Sequence, residues 1–267
     1  MVLNYGTKVR KVCSYRCMAK SSFYIHEKRW IFLKMKIIRA EFINFIPNKF
    51  LMKKQNQEPI ILPAVKPGRG KSVMAALKLR KTIREPGDKK LSLQTLSELL
   101  WAACGVNRKK GPFGLPGRTA ASASNSQEID VYVVFKEGTY LYDPFKHLLL
   151  PVIAGDLRPL TINKAQEDML GDAPVHFLYV ADIRRLSHTA GYQEPGLQDT
   201  EVQKSYYFAD TGLIAGNASL YAASKGLVSW FHNCNKPALK SKLKLRPEQR
   251  LLFGHTFGYP GRKHGNR

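Results

Sequence analysis

Apolar residues recur three and four positions apart in two early stretches of the chain, and a serine precedes each stretch. Ser72 comes before residues 73–81, where this spacing predicts an amphipathic helix with Ser72 as its N-cap. Ser92 likewise precedes residues 93–104, and Gly105 follows them as the glycine expected just beyond a helix C-terminus. The pattern therefore predicts two capped helices that are close in sequence.

Alternating and continuous apolar runs predict strands. Residues 129–135 alternate, a turn follows at Gly138, and residues 139–142 return, which predicts a β-hairpin. Residues 175–181 form a continuous apolar run that is typical of a buried strand, and residues 251–257 predict a final strand. Helical and strand patterns therefore both occur in the chain after residue 71.

Residues 202–225 predict a long helix of unusual composition. Small residues lie on nearly every face of it: Ala209, Gly212, Ala215, Gly216, Ala218, Ser219, Ala222 and Ala223. A helix that is small or apolar all round must be buried on several sides, either inside the fold or across a subunit interface. Pro237 then fits the first turn of a short helix that ends near Lys244.

Three segments lack periodicity and are expected to be loops or linkers. Residues 59–71 are rich in proline and glycine, which predicts an extended boundary segment. Residues 105–128 form a long loop rich in Gly, Pro and Ser, and loops of this length in a compact chain are usually functional. Residues 184–201 are polar and contain glycine, which indicates a mobile loop.

The composition permits a folded domain with a basic N-terminal extension. The chain has 267 residues, of which 44% are hydrophobic, and this is enough for a sizeable core. Its formal net charge is +23, and residues 1–58 hold 13 Lys and Arg against three acidic residues. Such a balance either attracts polyanions or is nonspecific surface charge. We expect residues 1–58 to be a poorly ordered extension, or a translated stretch upstream of a start at Met52, and residues 59–267 to form the domain.

The cysteines and the apolar runs exclude several classes of protein. Cys13 and Cys17 have one residue too many between them for the usual zinc knuckle, and no matching pair follows, so no metal site is expected. Cys104 lies in an apolar run, where we expect it to be buried. No run approaches the roughly 20 apolar residues of a membrane span. Reduced thiols and the absence of a span favour a soluble, cytoplasmic protein without a membrane partner.

One candidate binding cluster lies where the first predicted helix ends. If residues 80–84 are extended, Arg80, Thr82 and Arg84 share one side of the chain. Their guanidinium and hydroxyl groups would then offer many donors to a phosphate or to ring carbonyls. The alternative is a solvated basic helix end that complements the helix dipole.

Two further clusters are polar. Ser122, Asn125 and Gln127 lie among small residues just before the predicted hairpin, where they could contact the edge of a flat heterocycle or simply form a polar loop. Arg262 and Lys263 lie close to the end of the chain, where such residues are usually solvated or else provide a second phosphate contact. By themselves these residues leave the ligand open.

The usual catalytic motifs are missing from the sequence. It contains no Gly-x-Ser-x-Gly, no His-Glu-x-x-His and no Gly-rich loop ending in Gly-Lys-Ser/Thr. The histidines are scattered, and we expect them to be surface or packing residues. A chain without a conventional acid–base set fits a site in which a bound cofactor performs the chemistry.

Seven short segments, in order, resemble the nitroreductase family of FMN-dependent oxidoreductases over about residues 60–263. They are residues 74–84, 91–108, 118–129, 172–174, 210–217, 223–227 and 257–260. One such segment is weak evidence, whereas seven in family order are strong. The resemblance is closest to a subgroup that includes thiazoline and azoline oxidases, which it matches in the Leu-Trp-Ala-Ala stretch at residues 100–103.

The resemblance implies a fold, a cofactor and an assembly. The fold would be α+β, with a central, mostly antiparallel sheet flanked by helices, in an intertwined homodimer with two FMN sites at the subunit interface. The family positions that bind the FMN phosphate and ring edge match Arg80, Lys81, Thr82 and Arg84, and a basic pair that completes the phosphate site matches Arg262 and Lys263. The loop that the other subunit places beside the isoalloxazine matches Ser122, Asn125 and Gln127.

The activity implied is a ping-pong transfer from NAD(P)H through flavin N5 to a nitroaromatic or quinone-type acceptor, without a catalytic side chain. One alternative is a flavin oxidase of peptide azolines that uses O₂. Another is a basic nucleic-acid-binding protein that uses residues 1–58. That segment lacks a recognisable DNA-binding module, so nucleic acid is not expected to be the main partner.

Three positions depart from the family pattern. Ala121 replaces a proline, Gly216 replaces a glutamine, and residues 230–234 contain no glycine where the family brings a glycine backbone close to the reactive edge of the flavin. These departures bear on turnover more than on FMN binding.

Overall fold

The computed structural model describes most of the predicted domain. The described residues are 57–68, 70–163, 165–166, 173–189 and 198–261. The predictions for residues 1–56, including Cys13 and Cys17, lie outside them, as do those for Arg262 and Lys263.

Five α-helices occur in the described residues. They are α1 (Val73–Leu79), α2 (Leu93–Cys104), α3 (Ile183–Ser187), α4 (Thr200–Lys225) and α5 (Lys236–Lys242). The predicted caps are confirmed, because Ser72 Oγ accepts the Ala75 N–H and Ser92 Oγ accepts the Thr95 N–H. None of the described helices is both long and apolar enough to cross a bilayer.

Helix α1 ends two residues before its predicted end. Arg80 leaves helical geometry with ψ at 118°, and residues 81–85 belong to no helix or strand. Thr82 and Ile83 are β-branched, which lowers their helix propensity, and the Ile83 N–H finds an acceptor in the Ser229 carbonyl at 3.3 Å. A hydrogen bond to a residue that is distant in sequence is therefore favoured over a further turn of helix.

Gly105 ends α2 as predicted, but for a different reason. Its φ is −71°, which any residue can adopt, so no left-handed conformation requires glycine here. An added Cβ would lie 2.4 Å from Trp101 Cδ1. The close approach of the Trp101 ring is therefore what requires a glycine.

In the part of the chain that the structure describes, nine strands form two sheets. They are β1 (Ile60–Ile61), β2 (Val106–Arg108), β3 (Gly117–Arg118), β4 (Ile129–Val134), β5 (Gly138–Asp143), β6 (Leu148–Ala154), β7 (Val175–Asp182), β8 (Val228–His232) and β9 (Gln249–Gly258). The large sheet has the order β1-β6-β5-β4-β7-β9-β8, and every neighbouring pair in it is antiparallel. Strands β2 and β3 pair separately. The expected central antiparallel sheet is confirmed.

Several elements escaped the sequence analysis. Strand β6 contains Pro151, a residue that argues against a strand, and β8 is only five residues long. The predicted loop at residues 105–128 contains the short pair β2 and β3. The stretch predicted as a loop at residues 184–201 begins within helix α3, so that prediction is wrong for its first residues.

The large sheet separates two apolar layers, and the pleat assigns its residues to them. Val131 and Val133 of β4 belong to the cluster that includes α2 and α4, whereas Tyr132 and Val134 belong to the cluster that includes Leu239 of α5. Helix α4 buries Ile214, Ala215, Ala218 and Ala222 against the first layer, but Gly212, Leu213 and Gly216 are exposed. Within one protomer, α4 is therefore buried on one side only.

Candidate functional site

The segment of residues 80–87 contacts strand β8 and the residues that follow strand β9. The Ile83 N–H donates to the Ser229 carbonyl of β8 at 3.3 Å. The Gly87 N–H donates to the Tyr259 carbonyl at 2.7 Å, and Pro86 forms a bridge with Pro260. These backbone contacts hold the segment outside a helix, and the shared side of Arg80, Thr82 and Arg84 stays a prediction.

The side chains of this segment form an exposed cationic surface. Arg80, Lys81, Thr82 and Arg84 are all exposed, while Ile83 between them is half-buried. The Arg84 guanidinium carbon lies 5.8 Å from the centre of the Trp230 ring, a cation–π contact. Within the described residues, no carboxylate pairs with Arg80, Lys81 or Arg84. Three uncompensated charges and a hydroxyl in four positions suit a phosphate.

The described C-terminus lies against the same segment. The Gly261 N–H donates to the Glu85 carbonyl at 3.1 Å, one residue away from Arg84. Arg262 and Lys263 follow Gly261 directly in sequence. Gly261, the last described residue, thus lies beside the cationic segment.

A network of side chains within residues 112–127 shapes the second predicted cluster. Gln127 Nε2 donates to the Pro116 carbonyl at 2.7 Å and to Asn125 Oδ1 at 2.9 Å, and Asn125 Nδ2 donates to the Pro112 carbonyl at 3.0 Å. Ser122 Oγ accepts the Gln127 N–H at 3.0 Å. Asn125 and Gln127 therefore hold the loop shape with their amide donors, while Gln127 Oε1 is buried without a hydrogen-bond donor in the described residues.

The backbone of this loop is strained. Ser124, Asn125 and Gln127 have φ values of 49°, 54° and 53°, in the left-handed region that favours glycine. Strain of this kind persists only where the surroundings impose it, and it concentrates at functional sites. The loop is therefore the part of residues 105–128 that best fits the expectation of a functional loop.

The loop is anchored to α4 and α3. The Ala123 N–H donates to Asp210 Oδ2 at 2.8 Å, and Thr189 Oγ1 donates to the Ser124 carbonyl at 3.2 Å. Within the described residues, no backbone hydrogen bond joins residues 122–127 to residues 80–84.

A shallow cavity of about 320 Å³ lies between α2 and α4. Its lining includes the rings of Trp101 and Tyr221 and the amide of Asn217, which donates to the Thr119 carbonyl at 3.3 Å. Tyr221 Oη donates to Glu98 Oε2 at 2.8 Å, and Lys225 pairs with the same oxygen at 3.1 Å. Although burial opposes ionisation, the Tyr221, Lys225 and Gln94 contacts lower the pKa of Glu98 below its usual value.

Three histidines of the described residues are buried in the sheet: His176, His232 and His255. His255 lies between Tyr179 Oη at 2.9 Å and Ser229 Oγ at 2.8 Å, and His176 contacts Thr161 and Thr256. Burial lowers the pKa of His255 well below its usual value and that of His176 to about 3, so both rings are neutral. Their positions agree with the expected packing role.

Comparison with known proteins identifies the family. The family model described as the nitroreductase family matches residues 77–259. The chain belongs to the nitroreductase family. A crystal structure from Ralstonia eutropha assigned to the nitroreductases is 34% identical, with a TM-score of 0.68, and the match covers 77% of this chain and 90% of that one.

Two other similarities are more distant. A curated Methanocaldococcus jannaschii protein assigned to the nitroreductases is 26% identical over 155 residues, or 55% of this chain and 71% of that protein. A chain of the Escherichia coli microcin synthetase complex McbBCD, with truncated pro-MccB17 bound, has a TM-score of 0.55 at 17% identity and covers 85% of this chain and 93% of that chain. At that identity, the second similarity shows a shared fold alone.

As a nitroreductase-family enzyme, the chain is an oxidoreductase. The structure adds contacts for residues 230–234, which the sequence analysis singled out for their lack of glycine. Trp230 lies under Arg84, Phe231 is exposed, and Asn233 Oδ1 accepts the Cys234 N–H at 3.0 Å. The stretch without glycine thus presents side chains rather than bare backbone. The missing glycines at residues 230–234 were the available sequence signal, but the position of Trp230 depended on a contact with a distant segment.

Proposed function

We propose that this nitroreductase-family chain is an FMN-dependent NAD(P)H oxidoreductase that reduces nitroaromatic or quinone-type acceptors as a homodimer. The observation that carries the proposal is the segment at residues 80–84, which presents Arg80, Lys81, Thr82 and Arg84 to solvent without a compensating carboxylate in the described residues. Such a donor set fits a phosphate dianion.

The residues present fit FMN in their chemistry. Arg80 and Thr82 supply a guanidinium and a hydroxyl for the phosphate, and Gly261, which precedes Arg262 and Lys263 in sequence, lies beside the same segment. When bound, FMN would take electrons from a nicotinamide and pass them to an acceptor. The strained loop with Ser122, Asn125 and Gln127 would then line the ring of the cofactor held by the other subunit.

The side chains of the protein contribute to this reaction through their charge. A reduced flavin is anionic, so positive charge held close to it favours the reduced state. Lys81 and Arg84 would provide that charge, and the Trp230 ring makes a cation–π contact with the Arg84 guanidinium. No side chain needs to act as a nucleophile or general base.

An exposed apolar surface supports the homodimer. It consists of Val73, Met74 and Leu77 on α1 together with Leu213 on α4, which are between 49% and 74% exposed. Gly212 and Gly216 lie beside Leu213, and an added Cβ at either would meet nothing within 4 Å in the protomer. Packing within the protomer therefore does not require these two glycines, whereas close helix contact with a second chain would.

The first prediction concerns the spectrum of the purified protein. We expect a yellow protein with about one FMN per chain, and we expect its visible flavin absorbance to fall on anaerobic addition of NADH or NADPH. An absorbance spectrum before and after the addition measures both properties. A colourless protein that takes up no FMN on titration would refute the proposed cofactor, while a yellow protein that neither nucleotide bleaches would refute the proposed donor.

The second prediction concerns assembly. Replacing Leu213→Glu places a charge in the exposed apolar surface and is expected to convert the dimer to a monomer of 30.2 kDa, with loss of bound FMN. Ile61→Glu, at a more exposed apolar residue on β1, should leave the dimer intact. Light scattering after size-exclusion chromatography gives the mass. A wild-type protein that elutes as a monomer would rule out the shared site.

A further inference from the structure

Two carboxyl groups, from Glu128 and Asp210, are buried together behind the loop of residues 122–127. Glu128 is fully buried and Asp210 is 5% exposed. Each also holds the loop: Glu128 Oε2 accepts Ser126 Oγ at 2.6 Å, and Asp210 Oδ2 accepts the Ala123 N–H at 2.8 Å. The pair thus fixes both ends of the most strained part of the loop.

Glu128 Oε1 lacks a conventional donor. It is buried, and no N–H or hydroxyl in the described residues reaches it. The neighbouring group within hydrogen-bonding reach is the Asp210 carboxyl. An ionised carboxylate is an acceptor only, whereas a protonated one has an O–H to donate. A proton on Asp210 would therefore satisfy the orphaned oxygen.

Arg185 of α3 is a cation that acts on Glu128, and other carboxylates share it. Arg185 donates to the Glu128 backbone carbonyl at 2.8 Å and pairs with Asp130 of β4 at 2.7 Å and Asp182 of β7 at 3.9 Å. From β9, the ring of Phe253 packs against Phe208 of α4. The positive charge of Arg185 is thus divided among Glu128 and two other carboxylates.

Burial and a neighbouring negative charge both disfavour the ionised form of a carboxyl group. Burial first, and the charge of Glu128 second, raise the pKa of Asp210 to about 8. The folded protein therefore retains this proton at pH 7 and loses it as the pH rises through about 8. Above that pH, two negative charges repel each other behind the loop.

We propose that Asp210 is a positioning residue for the loop of residues 122–127: a proton that it shares with Glu128 holds the loop in shape, and loss of that proton releases the loop and weakens cofactor binding. The inference rests on the proposed function, in which this loop contacts FMN. It predicts that FMN binds more weakly at alkaline pH, and that the loop and not the phosphate site causes this loss of affinity.

The test uses Asp210→Asn, because its amide can donate to Glu128 as the protonated acid does and still accept the Ala123 N–H. Asp199→Asn on the same helix is the matched control, since Asn caps a helix as well as Asp. Glu128→Gln is a second variant that also removes the repulsion, should the first not fold. The measurements are the FMN dissociation constant and hydrogen–deuterium exchange of residues 122–127 in the FMN-free protein, each at pH 7 and pH 9.

If only the protonated pair binds FMN, the dissociation constant of the wild type and of Asp199→Asn should rise by about tenfold between these pH values, relative to Asp210→Asn. Exchange, corrected for its intrinsic pH dependence, should accelerate in the same two proteins and stay constant in Asp210→Asn and Glu128→Gln. An equal response in all four proteins would overturn the inference. A protein that binds no FMN at either pH would defeat the proposed function, and exchange alone would then decide the role of Asp210.

Discussion

The Arg80→Ala/Arg84→Ala double variant is expected to lose nearly all affinity for FMN. Each guanidinium would make a charge-assisted hydrogen bond worth about 1.5–3 kcal/mol, so each single variant should bind roughly 10- to 150-fold more weakly. If the two effects add, the double variant should bind about 10²- to 10⁴-fold more weakly. Titration of the FMN-free protein, followed by quenching of flavin fluorescence, measures the change.

The control for this variant is Arg184→Ala, which removes an exposed arginine from α3. It shows whether loss of general positive charge is enough to weaken binding. The double variant should also retain the wild-type unfolding midpoint, because both side chains are exposed. Equal losses of affinity in Arg184→Ala and in the double variant would mean that residues 80–84 do not form a specific phosphate site.

The largest effect on stability is expected from Arg185→Ala. Arg185 links α3 to β4 and β7. Its guanidinium pairs with Asp130 of β4 at 2.7 Å and Asp182 of β7 at 3.9 Å, and it donates to the Glu128 carbonyl at 2.8 Å. Its side chain is 13% exposed. Removing one partner from a buried ion pair leaves the other charges uncompensated, at a cost of about 3–5 kcal/mol. Urea unfolding should show this loss as a lower midpoint.

The adjacent variant Arg184→Ala again provides the comparison. Arg184 is one position away on the same short helix but is exposed, so its removal should change the free energy of unfolding by less than about 0.5 kcal/mol. Arg185→Lys should recover only part of the stability, because an ammonium group cannot reproduce the planar fork of donors. If Arg185→Ala unfolded at the wild-type midpoint, the buried network would contribute nothing to stability.

Local patterns predicted the elements that local forces stabilise. The two serine caps, the β4–β5 hairpin and the long helix α4 appear where caps, alternation and helical spacing placed them. The seven family segments also pointed to an α+β fold with an antiparallel sheet, and the observed sheet agrees. Each of these signals lies within about ten to 25 neighbouring residues.

The errors come from contacts between distant parts of the chain. The end of α1 depends on a hydrogen bond to Ser229 of β8, and the helical spacing of residues near 80 does not indicate that contact. Helix α4 was expected to be buried either inside the fold or across a subunit interface; the exposure of Gly212 and Gly216 in the single chain excludes complete burial inside the fold, and burial at an interface stays a prediction. Small residues indicate that a close contact is possible, but they do not say which surface supplies it.

The sequence by itself determined the periodic elements, the capped helix ends and the family, because turns of helix, pleats and short motifs depend on residues that are near neighbours in the chain. Only the tertiary structure decided that residues 80–87 contact β8 and the residues after β9, and that Asp210 meets Ala123 from 87 residues away. Such contacts join groups that are far apart in sequence, so no local pattern predicts them. They form because buried backbone groups and charges need partners once the sheet brings the segments together.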